Sequence, residues 1–145
     1  ILNQAIDNFE FKSYETSLDV KDFDTSFVKG LSFEDGCATL TKFTAYLIAD
    51  GLRKINKKND VNPHHHIFCG GGRKNKSLMQ SIENYLTKKN LIINDIDDYN
   101  FDGNFIESQA FAYLAIRSYL KLPISFPSTT RCKKAISGGD ILQNF

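Results

Sequence analysis

A chain of 145 residues, 41% hydrophobic and 24% charged, has the make-up of one soluble globular domain, and no apolar run nears the ~20 residues of a membrane span. With 18 Lys and Arg against 17 Asp and Glu, the net charge of +1 offers no broad positive field, so neither a nucleic acid nor a membrane is expected as a partner. Cys37, Cys69 and Cys132 form an odd, widely spaced set with no secretory signal ahead of them, the pattern of reduced packing thiols in a cytoplasm.

The chain opens on Ile1, Leu2 and Asn3 without a methionine and reads as a segment already under way. Residues 1–30 are therefore expected to be an irregular or linking stretch of a longer protein, and 31–145 a more ordered subdomain. Hydroxyls and carboxylates occur at Ser17, at Asp19 and from Asp22 to Asp24, but in no nucleophile-and-base order. From Leu31 to Asp35 the sequence has the form of a capping box, in which the Ser32 hydroxyl accepts from the Asp35 amide. A helix should begin there. Cys37, Leu40, Thr44, Leu47, Ile48, Gly51, Leu52 and Ile55 then recur at spacings of three and four, giving one apolar face up to the polar run Asn56 to Asp60.

Asn62 and Pro63 break the pattern, and His64 to Cys69 reads as a buried strand running into three glycines. A second helix follows, with Asn75 as its N-cap, Leu78, Met79, Ile82, Tyr85 and Leu86 as its buried stripe, and Lys88 and Lys89 at the negative end of its dipole. Leu91 to Ile96 reads as a second strand. An acidic, aromatic loop from Asp97 to Asn104 leads to a third helix, about Phe105 to Lys121, faced by Ile106, Ala110, Tyr113, Leu114 and Arg117 and stopped by Pro123. The tail, with Pro127 and the Ser137, Gly138, Gly139 turn, looks irregular. Helix, strand, helix, strand, helix implies parallel strands joined by crossovers, hence a layered α/β arrangement whose remaining strands should lie upstream of Ile1.

Gly70, Gly71 and Gly72 stand between a strand and a helix, where a backbone without Cβ atoms can approach a phosphate or ribose closely. A plain turn needing positive φ would require only one glycine, so a nucleotide site and a purely architectural turn both remain open on spacing. Arg73, Lys74 and Lys76 would assist a polyphosphate or else form a solvated basic edge. His64, His65 and His66 alternate across a strand, so at most two could meet on one ion, and no metal site built from protein ligands is expected. Glu107 falls in the first turn of the third helix, where the dipole favours its charge; beneath Asp95, Asp97 and Asp98 it could also accept sugar hydroxyls.

As a set, Cys69 to Met79 (CGGGRKNKSLM), Glu107 to Ala115 (ESQAFAYLA) and Leu122 to Thr129 (LPISFPST) resemble, in order and spacing, the carboxy-terminal third of the anhydro-N-acetylmuramic acid kinases. Thr16 to Phe23 (TSLDVKDF) and Ala38 to Ala45 (ATLTKFTA) are similar to the same family. The resemblance implies part of an actin-like (ribonuclease-H-like) kinase domain. It implies an enzyme that uses ATP and Mg²⁺ to phosphorylate anhydro-N-acetylmuramic acid at its six-position while water opens the anhydro ring, in peptidoglycan recycling. By the same resemblance Gly70, Gly71, Gly72 and Asn75 are nucleotide-binding and Glu107 is a sugar-side contact. A homodimer is compatible with these features. The family's Asp-Thr-Gly-Pro aspartate, its general base, has no counterpart, since Asp24 and Thr25 are followed by Ser26 and Phe27; the chain is not expected to catalyse alone. Asn104, Phe105 and Ser108 also depart from the family's usual residues. The alternatives are another actin-like sugar kinase and a non-catalytic α/β binding module.

Overall fold

Five residues of parallel pairing organise the described part of the chain. In the computed structural model, which describes residues 1–9, 19–58, 64–86 and 91–142, strand β1 (His64–Phe68) pairs with β2 (Leu91–Asp95) in parallel, from His64 opposite Leu91 to Phe68 opposite Asp95. Helix α3 (Lys76–Leu86) lies between them in sequence, and α2 (Phe33–Lys58) precedes them. With α4 (Ile106–Tyr119) after β2, the order helix, strand, helix, strand, helix is the one expected, and the fold is mixed α/β, as for one part of an actin-like kinase domain. None of the described helices is long and apolar enough to cross a membrane.

The main core lies between α2 and α3. Ala45 and Ala49 are small enough to let the two helices approach closely, and they bury Ile82 and Leu86, the anticipated centre of the α3 stripe. Leu78, Met79 and Tyr85 pack around them, with Phe68, Leu91 and Ile93 from one face of the strand pair. An edge-to-face contact between Tyr46 and Tyr85, 5.6 Å between ring centroids, adds to the helix pairing. So does a hydrogen bond from Arg53 Nη1 to the Tyr85 carbonyl at 3.2 Å. The other strand face is open, with Ile67 49% exposed, so β1 is not the fully buried strand expected from its apolar end. Strand residues alternate between faces, and α2 and α3 cover only one.

Helix α2 starts where expected, with the Asp35 amide donating to the Ser32 hydroxyl at 3.1 Å. Its apolar surface is wider than the single stripe read from the sequence. Of that stripe only Leu47 and Gly51 are buried, and Cys37 and Ile55 are exposed. Two flanks are covered instead, one by α3 through Ala45 and Ala49, the other by a second cluster built from Phe43, Leu47 and Ala5. Between them Leu40, Ile48, Leu52 and Ile55, with Phe23, line an open apolar groove of about 540 Å³.

Residues 1–30, expected to be irregular, contain helix α1 (Leu2–Asn8) and the 3-10 helices Val20–Asp22 and Ser26–Val28. Aromatic packing accounts for this order. Phe9 stacks on Phe23 at 5.7 Å, and Phe9 and Phe27 both meet the buried ring of Phe43 edge-on, at 5.6 and 5.0 Å. Asp22 and Asp24 act locally, accepting from the amides of Asp19 and Ser26. Ser17, Lys88 and Lys89, and the first residues of the Thr16 to Phe23 motif, lie outside the described residues.

Helix α4 ends four residues before Pro123. The Lys121 amide donates to the Ser118 carbonyl at 3.0 Å and the Leu122 amide to the Arg117 carbonyl at 2.8 Å, a Schellman motif with Lys121 at φ +57°. The terminator is thus the left-handed lysine and not the proline. The anticipated α4 face is only partly covered: Ile106, Leu114 and Arg117 are half-buried, while Ala110 and Tyr113 are exposed. The Arg117 guanidinium lies over the rings of Tyr113 and Phe126 and donates through Nε to the Pro123 carbonyl at 2.7 Å. The tail is less irregular than expected, with the short helix α5 (Pro127–Thr130) and an antiparallel bridge between Ser125 and Ile136.

Candidate functional site

Parallel pairing brings the carboxyl ends of β1 and β2 to one edge, the position where open α/β sheets place ligands. Strand β1 leaves through Cys69 and Gly70 into a 3-10 helix, Gly71–Lys74, and Asn75 then caps α3. The cap is direct: Asn75 Oδ1 accepts from the Leu78 amide at 3.1 Å. Strand β2 leaves into the 3-10 helix Ile96–Tyr99, where Asp95 accepts from the Asp97 amide and Asp98 accepts from the Asp95 amide.

The three glycines differ. Gly70 has φ +82° and ψ 173°, a conformation essentially restricted to glycine, so the fold itself requires a glycine there. Gly71 is outside the left-handed region, is exposed, and has no heavy atom within 4 Å of where a Cβ would stand. Gly72 is similarly placed, with only Leu78 Cδ2 at 3.8 Å. One glycine is therefore explained by the turn, and two are not. Both open a 3-10 helix, whose first amides find no acceptor within it.

Arg73 is neither a phosphate-facing cation nor a solvated edge. Its side chain is 3% exposed and donates from Nε to Asp95 at 3.0 Å, from Nη2 to Asp97 at 2.6 Å, and from Nη1 to the Gly70 carbonyl at 2.9 Å. The loop after β2 closes the arrangement: the Gly103 amide donates to Asp97 Oδ1 at 2.7 Å, and the Gly70 amide donates to the Gly103 carbonyl at 3.0 Å. The hydrogen bond from Arg73, then that from the Gly103 amide, hold the Asp97 carboxyl below the usual carboxylate range. Hydrogen bonding to Asp97 likewise raises the Arg73 guanidinium above its ordinary value. Lys74 and Lys76 remain exposed.

The structure thus joins the glycine turn to the acidic loop. It does not bring Glu107 into that network: Glu107 is exposed in the first turn of α4, three residues beyond Asn104, and its carboxylate has no ion-pair partner among the described residues. In the histidine run, His66 Nε2 lies 3.0 Å from Asn56 Nδ2, and among the described residues no three His, Cys, Asp or Glu side chains are grouped as for a metal. Sequence reasoning named Arg73 for a different role and missed both its pairing with Asp95 and Asp97 and the part played by Gly103. A signal was present: in a parallel pair, an arginine just past one strand and aspartates at the end of the next emerge at the same edge.

The comparison that decides the family covers almost the whole chain: residues 7–144 match the family described as anhydro-N-acetylmuramic acid kinase. The chain belongs to that family. Curated relatives that carry the kinase name include one from Pelagibacter ubique, 55% identical over 147 residues, which cover all of this chain and 39% of that protein. A Zymomonas mobilis relative is 39% identical over 86% of this chain and 32% of its own length. One from Brucella canis is 36% identical over 88% and 33%. The chain spans about two fifths or less of the length of these kinase relatives.

Proposed function

We propose that this chain forms the nucleotide-side wall, in the carboxy-terminal part, of an ATP-dependent kinase. That kinase converts 1,6-anhydro-N-acetylmuramic acid to N-acetylmuramic acid 6-phosphate with hydrolytic opening of the anhydro ring, in peptidoglycan recycling. Family membership supports the kinase chemistry. The observation that carries the nucleotide reading is Gly71, a glycine that neither backbone strain nor crowding requires. A residue kept bare beside open space suits the close approach of a ligand.

The donor set fits a nucleotide. The amides of Gly71 and Gly72 would donate to ribose or α-phosphate oxygens, as amides at helix starts do. Asn75 commits its side-chain oxygen to the α3 cap, which leaves its Nδ2 group as the donor toward a ligand. ATP, when bound, supplies the phosphoryl group. Glu107, exposed at the start of α4 and without an ion-pair partner among the described residues, would accept hydrogen bonds from sugar hydroxyls. Asp95 and Asp97 are engaged by Arg73, and Asp24 accepts from Ser26, so none of these three carboxylates is free to act as the base for water. The reading accordingly assigns the general base, and any protein ligand of Mg²⁺, to residues other than these.

The test is substrate choice by the full-length protein. It should phosphorylate the anhydro sugar and leave glucose untouched, with product carrying one atom of solvent oxygen from ring opening. Activity on glucose with none on the anhydro sugar would replace this reading with another actin-like sugar kinase.

A further inference from the structure

We infer that Arg73 is a positioning residue, whose guanidinium fixes the backbone of Gly71 and Gly72 relative to the loop Ile96–Asn104 and the start of α4. The inference rests on the nucleotide reading of the turn. A guanidinium is a planar fork, and here each of its three nitrogens is committed: Nε to Asp95, Nη2 to Asp97, Nη1 to the Gly70 carbonyl. With all three nitrogens engaged and its side chain 3% exposed, such an arginine is not placed to reach a phosphate, so its influence on a nucleotide passes through the backbone it holds.

The bonds form a closed circuit. Gly70 is held at its carbonyl by Arg73 and at its amide by Gly103, while Gly103 is held at its amide by Asp97, which Arg73 also holds. The residue whose φ of +82° sets the direction of the turn is therefore pinned at its amide by the loop after β2 and at its carbonyl by Arg73, which Asp97 ties to the same loop. Gly71 follows immediately. A small rotation at Gly70 would displace the amides of Gly71 and Gly72 together, and donors misplaced by a fraction of an ångström lose much of their value. The same loop runs through Asn104, 3.5 Å from Arg73 Nη1, to Glu107, so one side chain ties the nucleotide side to the proposed sugar side.

Lysine keeps the charge of arginine but not the fork, and Asp97→Asn keeps the size of Asp97 but not its charge. The experiment is calorimetric titration of the full-length protein and its Arg73→Lys, Asp97→Asn and Gly71→Val variants with a non-hydrolysable ATP analogue, with a thermal melt of each. Arg73→Lys should weaken binding by about tenfold and Asp97→Asn by a smaller factor, both still melting cooperatively. A merely stabilising Arg73 would lower the melting temperature and leave the dissociation constant unchanged; that result, with Gly71→Val weakened, overturns the inference and spares the nucleotide reading. Unchanged binding in Gly71→Val as well removes both. Failure of Arg73→Lys and Asp97→Asn to fold would make Arg73 a residue of the fold rather than of the site, and would also overturn it.

Discussion

A Cβ on Gly103 would stand 2.6 Å from Cζ of Arg73, so the missing side chain of one residue is the space that the guanidinium of the other occupies. The same Cβ would lie 2.6 Å from Ile96 Cγ2. Neither neighbour can easily yield, because Arg73 is held by two carboxylates and Ile96 follows directly on β2. Gly103 needs no positive φ. Its role is clearance.

Gly103→Ala should therefore destabilise by overpacking, by about 1–3 kcal/mol, and displace Arg73 from Asp95 and Asp97. Denaturant unfolding of the full-length variant checks the first effect. A crystal structure of the variant with the Arg73 contacts intact would contradict the second.

Gly70 and Gly71 should respond oppositely to alanine. Gly70→Ala forces a side chain into a glycine-only conformation and should cost about 1–3 kcal/mol, whereas Gly71→Ala enters open space and should leave the unfolding midpoint nearly unchanged. Equal losses at both positions would show that the turn is crowded in the whole protein.

Ile82 is fully buried between α2 and α3 against Ala45 and Ala49. Truncation to Ile82→Ala leaves a cavity that the alanines cannot fill, and should cost about 2–5 kcal/mol in chemical denaturation. A loss below 1 kcal/mol, on the order of a surface change, would argue against this packing.

Acid should loosen the turn through Asp97. Its carboxyl is held low in the folded protein, first by Arg73 and then by the Gly103 amide, so its contribution is present above the unfolded value of about 3.9 and lost as pH falls through the folded value. Asp24, lowered by the Ser26 amide, loses its contribution in the same range. Stability should be insensitive to these groups above about pH 5 and decline below about pH 4. Asp97→Asn should flatten part of that decline while Asp24 retains the rest; an unchanged acid profile in Asp97→Asn would contradict the Arg73 pairing.

The elements that were legible in the sequence are those fixed by local chemistry. The Ser32 cap, the Asn75 cap, the Leu78 to Leu86 stripe and the glycine turn each depend on residues within a few positions of one another, and each was found where expected. What escaped was non-local. Arg73 sits beside two lysines and looks like one of three basic residues until the strand pairing places Asp95 and Asp97 across from it. The α2 stripe read from the sequence leaves out Ala45 and Ala49, because alanine carries little hydrophobic signal, yet both are fully buried against Ile82 and Leu86 of α3. The sequence points to Pro123 as the end of α4, because a lysine at φ +57° has no signature in sequence.

The most direct test of the proposed nucleotide wall is the ATP affinity of the full-length protein with Gly71→Val. The bare position at Gly71 predicts a sharp loss of affinity with the melting temperature preserved, because the added side chain meets no protein atom near its Cβ and stands where the nucleotide would lie. Unchanged ATP affinity in a folded Gly71→Val protein would contradict the assignment of this turn.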